Sequence, residues 1–397
     1  MIKGRDFIVF SDDWGRHPFS CQHVMRHFLP DNRILWVNTI GMRLPRLCLY
    51  DVKRAFEKVR SWADPAPPVE LPLGLRVISP VMVPLSPLAS VRAFNRRSVL
   101  GAVARASRDL DLRDPILLAT VPNAADYAGL CGESLVVYYC VDEFSVWPGM
   151  NLPEMVRELE ADLLRKADLV MAVSDELVAR KSNGRGPTHL LTHGVDFGHF
   201  SAAAGPVAVA DLPEALRWLE GPVIGFYGLI DSHLDIDLLA DLLAARPHWN
   251  VVLIGTRRIP LDALERFPNF LWLPAVPYGE LPRYAARFDV AVIPYVVNEH
   301  TCTANPLKLR EYLATGKPVV ATPMTEVLRF DGVVRIAASC DAFVAAIEDE
   351  LRSPTPAAPR WEVLEGETWK DKAELVSCWI EEALAASGTP RPLEGTT

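Results

Sequence analysis

The sequence is short of everything that would mark a stapled, fibrous or membrane-spanning protein. Its seven cysteines are odd in number and none is paired in a CxxC spacing, which argues against a disulfide or zinc framework and for reduced thiols. No apolar run approaches the roughly 18 residues that a membrane-spanning helix needs. The opening MIKGRDFIVF has a short apolar stretch interrupted by Arg5-Asp6, so a secretory signal is not expected. There is no glycine period and no sustained heptad, which excludes collagen and coiled coil, and no internal repeat or low-complexity tract is evident. No nucleic-acid recognition motif is present, and nucleic acid is not expected as a partner. What is present is a 397-residue chain, 50% hydrophobic and 23% charged, too apolar for a disordered protein. At about 150 residues per domain it forms two or three domains. A soluble, cytoplasmic, multidomain protein is the expectation.

Charge is spread unevenly. The net charge is −9, yet residues 1–110 hold 17 Lys and Arg against 9 Asp and Glu. Basic stretches at 43–60 and 92–108 suit an anionic membrane or a phosphate-bearing substrate. They equally suit a solvated helix face.

Short β-branched or aromatic runs alternate with helical-period segments. In the first half the spacing predicts strands at 6–10, 34–38, 76–78, 116–120, 135–141, 169–174 and 189–192, with helices at 91–109, 152–167 and 175–181. Residues 201–213 (SAAAGPVAVADLP) read as a linker. The alternation restarts with strands at 223–229, 251–255, 270–273, 290–294, 319–322 and 333–336. Helices are expected there at 236–245, 279–287, 306–315 and 340–352. Apolar strands separated by helices mean parallel sheets covered on both faces. A Pro-rich stretch at 353–359 precedes a final amphipathic helix at 369–386, and the residues from 388 onward read as a mobile tail. The expected division is a first domain over 1–204, a second over 205–358, a helical segment over 359–387 packed on one or both domains, and a tail over 388–397.

The most specific stretch is Asn305 to Thr322, NPLKLREYLATGKPVVAT, after the strand DVAVIPY that ends at Tyr295. It resembles the donor-binding segment of GT-B glycosyltransferases, of the kind found in group 1, family-4-like bacterial polysaccharide transferases. Val223 to Leu229 (VIGFYGL) resembles the first strand and glycine loop of their nucleotide domain. Residues 269–286 resemble the segment before the donor loop, and His193-Gly194-Val195-Asp196 with Phe200 resembles the stretch that closes their first domain. The resemblance implies two Rossmann-like, doubly wound α/β domains facing across a cleft, a nucleotide-sugar co-substrate (UDP- or GDP-linked), and no cofactor or metal. It departs from the family where two glutamates separated by seven residues are typical: Thr303 stands in the place of the first. The loop after Gly228 also lacks the Arg and Lys common in relatives.

The residue types suit this chemistry in their own right. A helix beginning near Pro306, with Leu307 and Lys308 in its first turn, presents unpaired N–H groups and an ammonium to a diphosphate. Glu311, three residues on, can accept two hydrogen bonds from a ribose diol. An ordinary surface helix with a Lys–Glu pair is the plainer alternative. His233 is expected to help neutralise the diphosphate, and Gly228, Tyr295 and Asn305 to border the donor.

On the acceptor side, Asp142 follows an apolar strand and is the first candidate for general base, although it also fits a helix cap or turn. Asp13 is the second candidate. His17, Glu143 and His193 are expected to line the acceptor side, with capping, solvated or packed roles as the alternatives. The apolar, Pro-rich Val77 to Leu88 can lie at a membrane interface, near a polyprenyl-pyrophosphate-linked or other glycan acceptor, or form a buried connection. Sugar transfer to a glycan hydroxyl in cell-surface polysaccharide synthesis is the leading expectation. A non-hydrolysing nucleotide-sugar 2-epimerase and a catalytically silent sugar-binding subunit are the rivals.

Overall fold

A computed structural model describes residues 1–15, 19–39, 71–84, 87–205 and 207–387. His17, the basic stretch at 43–60 and the tail at 388–397 lie outside the described residues. Chain contacts divide the protein into two compact units, residues 1–192 with 372–397 and residues 193–371.

The first unit is built on β1 (Asp6–Ser11), β2 (Arg33–Asn38), β3 (Leu75–Ile78), β4 (Ile116–Ala119), β5 (Leu135–Cys140), β6 (Leu169–Ala172) and β7 (Thr188–Leu190). They form one parallel sheet in the order β3-β2-β1-β4-β5-β6-β7. Central strands such as β1, β4 and β5 are buried along their whole length, as strands covered by helices on both faces must be. Strand order reverses between β1 and β4, and there the Ser11 and Thr120 hydroxyls meet at 2.8 Å.

The second unit carries β8 (Val223–Tyr227), β9 (Asn250–Ile254), β10 (Phe270–Leu273), β11 (Val290–Ile293), β12 (Val319–Ala321) and β13 (Arg335–Ile336). This sheet is also parallel, in the order β10-β9-β8-β11-β12-β13. Its order reverses between β8 and β11. In open α/β sheets, ligands sit outside the carboxyl ends of the strands that flank such a reversal. Here those ends lead into Gly228 and Tyr295.

Both units are therefore doubly wound, and the fold is α/β of the GT-B type. The division between them falls elsewhere than composition suggested. The 201–213 stretch is not a linker: it includes the end of a helix over Phe197–Ser201 and a 3-10 turn over Val209–Asp211, within the second unit. The His193 to Phe200 stretch also opens the second unit rather than closing the first. Gly194 has no side chain because a Cβ there would lie 2.8 Å from the Trp369 ring. The two segments are joined by hydrogen bonds from Val195 N to Glu367 O and from Trp369 N to Val195 O.

The last helix, Trp369–Ser387, is cut by the division at Asp371. Beyond that point Lys372 donates to Thr192 Oγ1 at 2.9 Å, Ser377 accepts from the Ile2 amide, and Trp379 stacks on His189 at 4.3 Å. Its amphipathic face thereby closes on the first unit.

Candidate functional site

The switch point of the second sheet is organised around Lys308. Gly228, immediately after β8, has φ +141°, and a Cβ there would come within 2.8 Å of Lys308 Cε. The glycine thus serves both the backbone conformation and the passage of the lysine over it. The Lys308 ammonium donates to the Tyr295 hydroxyl and stands 5.0 Å from the centres of both the Phe226 and Tyr295 rings. Two electron-rich ring faces favour the cation. Tyr295 is itself held through its backbone, with its N–H donating to Thr322 Oγ1 and its carbonyl accepting from the same hydroxyl at 2.7 Å.

Gly255, after β9, has φ +155°, and any side chain there would collide with the Gly228 carbonyl. The two glycine loops are therefore stacked in contact. Beside them a shallow depression is lined by Thr256, Arg257, Trp272 and Ala275 among others. Gly255 and this depression were missed in the sequence, although the glycine after an apolar strand was the available signal.

His233 packs edge-on against Tyr295 with ring centres 4.5 Å apart. Burial, reinforced by the Lys308 charge, pushes its imidazole down to about 3, so at neutral pH it is uncharged. It can hydrogen-bond a phosphate there, but it does not supply the positive charge expected of it.

The helix expected from Pro306 begins one residue later, at Leu307, and runs to Ala314; Pro306 is its extended N-cap. Leu307 and Lys308 occupy the first turn, whose N–H groups have no acceptor within the helix. Glu311 is 5% exposed. Burial pushes its carboxyl up to about 7, against the opposing pull of the Lys308 ammonium and the Tyr227 hydroxyl. The ionised form can accept from both hydroxyls of a diol, whereas the protonated form turns one oxygen into a donor.

Asn305 points inward. Its amide oxygen accepts from Arg310 Nη1 at 2.8 Å, and its nitrogen donates to Glu326 at 3.3 Å. Arg310, buried within the helix, also pairs with Glu367 at 2.8 Å. The Asn305 side chain is thus committed to holding the approach to the helix rather than to a ligand. Arg310, Glu326 and Glu367 were missed in the sequence because their partners lie far apart along the chain.

Residues 221–353 match the sequence model of the family described as Glycosyl transferases group 1. The matched segment holds all six strands of the second sheet. A curated relative, the Bacillus subtilis protein described as a putative teichuronic acid biosynthesis glycosyltransferase, TuaH, is 28% identical over 218 residues. That match covers 51% of this chain and 54% of the relative, so it spans about half of that protein. Solved structures share the fold over nearly the whole chain. Thermosynechococcus elongatus sucrose-phosphate synthase aligns with a TM-score of 0.70 at 16% identity, covering 96% of this chain and 100% of that one. Anabaena HepE, solved in complex with UDP and glucose, aligns with a TM-score of 0.64 at 13% identity, covering 96% and 99%. The segment matched by the family model contains Gly228, His233, Tyr295, Lys308 and Glu311.

Outside that segment, the expected acceptor residues fare differently. Asp13 follows β1 at the first sheet's switch point, in a loop held by Gln22, Asn38 and the Trp36 indole. Asp142 follows β5 and is half-buried, with its carboxylate capping the Glu143 amide at 2.8 Å. Glu143 is not available to an acceptor. It is buried, bonded to Lys181 at 2.6 Å and to Ser145 at 2.9 Å. Lys181 also meets Glu160 at 2.7 Å, and Glu160 accepts from Tyr138 at 2.6 Å. Burial pushes the Glu143 carboxyl up, but Lys181 and Ser145 outweigh it and the net shift is downward. A one-turn loop cannot reveal this lock, because Glu160 and Lys181 come from two later helices, Pro153–Lys166 and Asp175–Lys181. His193 is buried, with its ring 6.5 Å from that of Trp369, a packed position. Among the described residues no three His, Cys, Asp or Glu side chains group as metal ligands would.

Proposed function

We propose that the chain is a glycosyltransferase. In this reading it moves a hexosyl group from a UDP- or GDP-linked sugar to a hydroxyl of a glycan or polyprenyl-pyrophosphate-linked saccharide, in cell-surface polysaccharide assembly on the cytoplasmic side of a membrane. The observation that carries the reading is Lys308, held over Gly228 at the β8/β11 switch point with Glu311 one turn behind it. An ammonium and free helix amides suit a diphosphate, and a buried carboxylate suits a ribose diol. The names of TuaH and of the UDP-bound HepE structure agree with that chemistry.

In the transfer, the acceptor oxygen bonds to the anomeric carbon as the bond from that carbon to the phosphate oxygen breaks. The acceptor proton passes to a base, assigned here to Asp142, and the nucleoside diphosphate leaves with its electron pair. Lys308 and the helix N–H groups stabilise the charge that gathers on the leaving oxygen, and the reading uses no metal or cofactor.

The test is transfer of labelled sugar from UDP- and GDP-sugars to membrane-extracted lipid-linked saccharides by wild type, Lys308→Met and Asp142→Asn. Turnover by wild type is expected, strongly reduced in both variants. Epimer formation from donor alone, or binding without turnover when acceptor is supplied, contradicts the reading.

A further inference from the structure

We infer that Lys181 is a positioning residue for sugar transfer, fixing through Glu143 the loop on which Asp142 stands; the inference rests on the assignment of Asp142 as the base. Lys181 ends the helix Asp175–Lys181 and is buried. Its ammonium meets Glu143 Oε2 at 2.6 Å and Glu160 Oε2 at 2.7 Å. The two remaining oxygens are met as well. Ser145 donates to Glu143 Oε1 at 2.9 Å, and Tyr138 donates to Glu160 Oε1 at 2.6 Å. The cluster thus ties two helices to β5 and the loop after it, with a donor on every carboxylate oxygen.

Packing does not require these charges. On the helix Pro153–Lys166 the buried side chains are Met155, Val156, Leu159, Glu160 and Leu163, so Glu160 takes a place in an otherwise apolar stripe. Lys181 likewise stands one turn beyond the buried Leu177. Apolar residues of similar volume at such positions often stabilise a fold as well as a buried ion pair does, or better. What they cannot do is hold the Glu143 side chain in one place. Burial pulls the Lys181 ammonium down, but the Glu160 and Glu143 carboxylates outweigh it and the net shift is upward. The clamp is therefore ionic at neutral pH.

The clamped residue is the one that orients Asp142. The Glu143 N–H donates to the Asp142 carboxylate at 2.8 Å. The Cys140 thiol lies 3.4 Å from the Asp142 carbonyl and 3.8 Å from Glu160 Oε1, so the same cluster borders the Asp142 backbone. Without Lys181 the Glu143 side chain is free to turn, and the amide that holds the Asp142 carboxylate turns with it. Misplacing a reacting group by about 1 Å costs on the order of 100-fold in rate.

The test is single-turnover transfer from labelled UDP- and GDP-sugars to membrane-extracted lipid-linked saccharides, beside equilibrium titration with the same donors. Glu143→Gln, which keeps the side chain's shape, is expected to lower the rate about tenfold, and Lys181→Met about 100-fold. Donor affinity is expected to stay at the wild-type value in both. Adding either substitution to Asp142→Asn is expected to slow transfer no further, because both act through Asp142. Wild-type rates in the two variants overturn the inference, and so do losses that multiply with that of Asp142→Asn, as a merely structural role predicts. Glu143→Gln carries the test if Lys181→Met fails to fold. Amide hydrogen exchange over residues 140–147 reads the loop without substrate. It is expected to quicken at least tenfold in the variants while the amides of β8 are unchanged, and unchanged exchange in the loop overturns the inference whatever the rates. Absence of transfer by wild type, or wild-type transfer by Asp142→Asn, also overturns it; quickened exchange in that case locates the failure in the transfer reading and not in the clamp.

Discussion

Lys308 crosses directly over Gly228, so that the space a Cβ would fill at residue 228 is taken by the lysine's own Cε at 2.8 Å. The glycine loop after β8 and the first turn of the helix over Leu307–Ala314 are thereby one structural unit. Their separation of eighty residues in sequence hides this. Gly228→Ala is expected to strain a φ of +141° and to push Lys308 off its position between Phe226 and Tyr295. The cost is about 1–3 kcal/mol of stability, with weakened nucleotide binding beyond it. Thermal melts and titration of the same variant with UDP separate the two effects.

The buried carboxyl of Glu311 links function to stability with opposite signs. Its group stays protonated up to about 7 in the folded chain, whereas in the unfolded chain it ionises in the ordinary glutamate range. Between those two values the folded state holds more protons, so its contribution to stability falls as pH rises. Glu311→Gln is expected to raise the melting temperature at pH values above 7 and to change it little at acidic pH. The same substitution is expected to reduce nucleoside binding, while binding to wild type strengthens as pH rises through about 7. Scanning calorimetry across pH checks the first, and nucleotide titration the second.

In the first unit, Lys181 holds two buried carboxylates, Glu143 and Glu160. Lys181→Met leaves both without their counter-ion, at an expected cost of about 3–5 kcal/mol near neutral pH. The loss shrinks as pH falls into the carboxylate range, because protons then replace the missing ammonium. Urea denaturation at two pH values measures it.

Asp142 is assigned to proton removal and not to donor binding. Asp142→Asn is expected to lower turnover about 100-fold or more and to leave the affinity for UDP-sugar unchanged. Single-turnover transfer beside equilibrium titration gives both numbers.

Much of this architecture was legible because strands buried on both faces are written as continuous apolar runs. The central strands of both sheets follow from that pattern to within a residue or two, whereas edge strands such as β7 and β13 are short and only part-buried. Lys308 and Glu311 were legible as well, being three residues apart on a short helix with a distinctive flanking strand and turn. Residues whose meaning comes from tertiary partners were not. Glu143 reads as a loop carboxylate until Lys181 and Glu160 are brought to it, and Asn305 reads as a ligand contact until Arg310 and Glu326 claim its amide. The protonation state of His233 was equally hidden, since burial against Tyr295 and the charge of Lys308 set it.

The most direct test is isothermal titration of wild type and Lys308→Met with UDP- and GDP-sugars at constant pH and salt. Loss of one charge-assisted contact of about 1.5–3 kcal/mol predicts a roughly 10- to 100-fold weaker affinity for the preferred donor in the variant, with its fold intact. Equal affinity of the two proteins for every donor would contradict the assignment of Lys308 to the diphosphate.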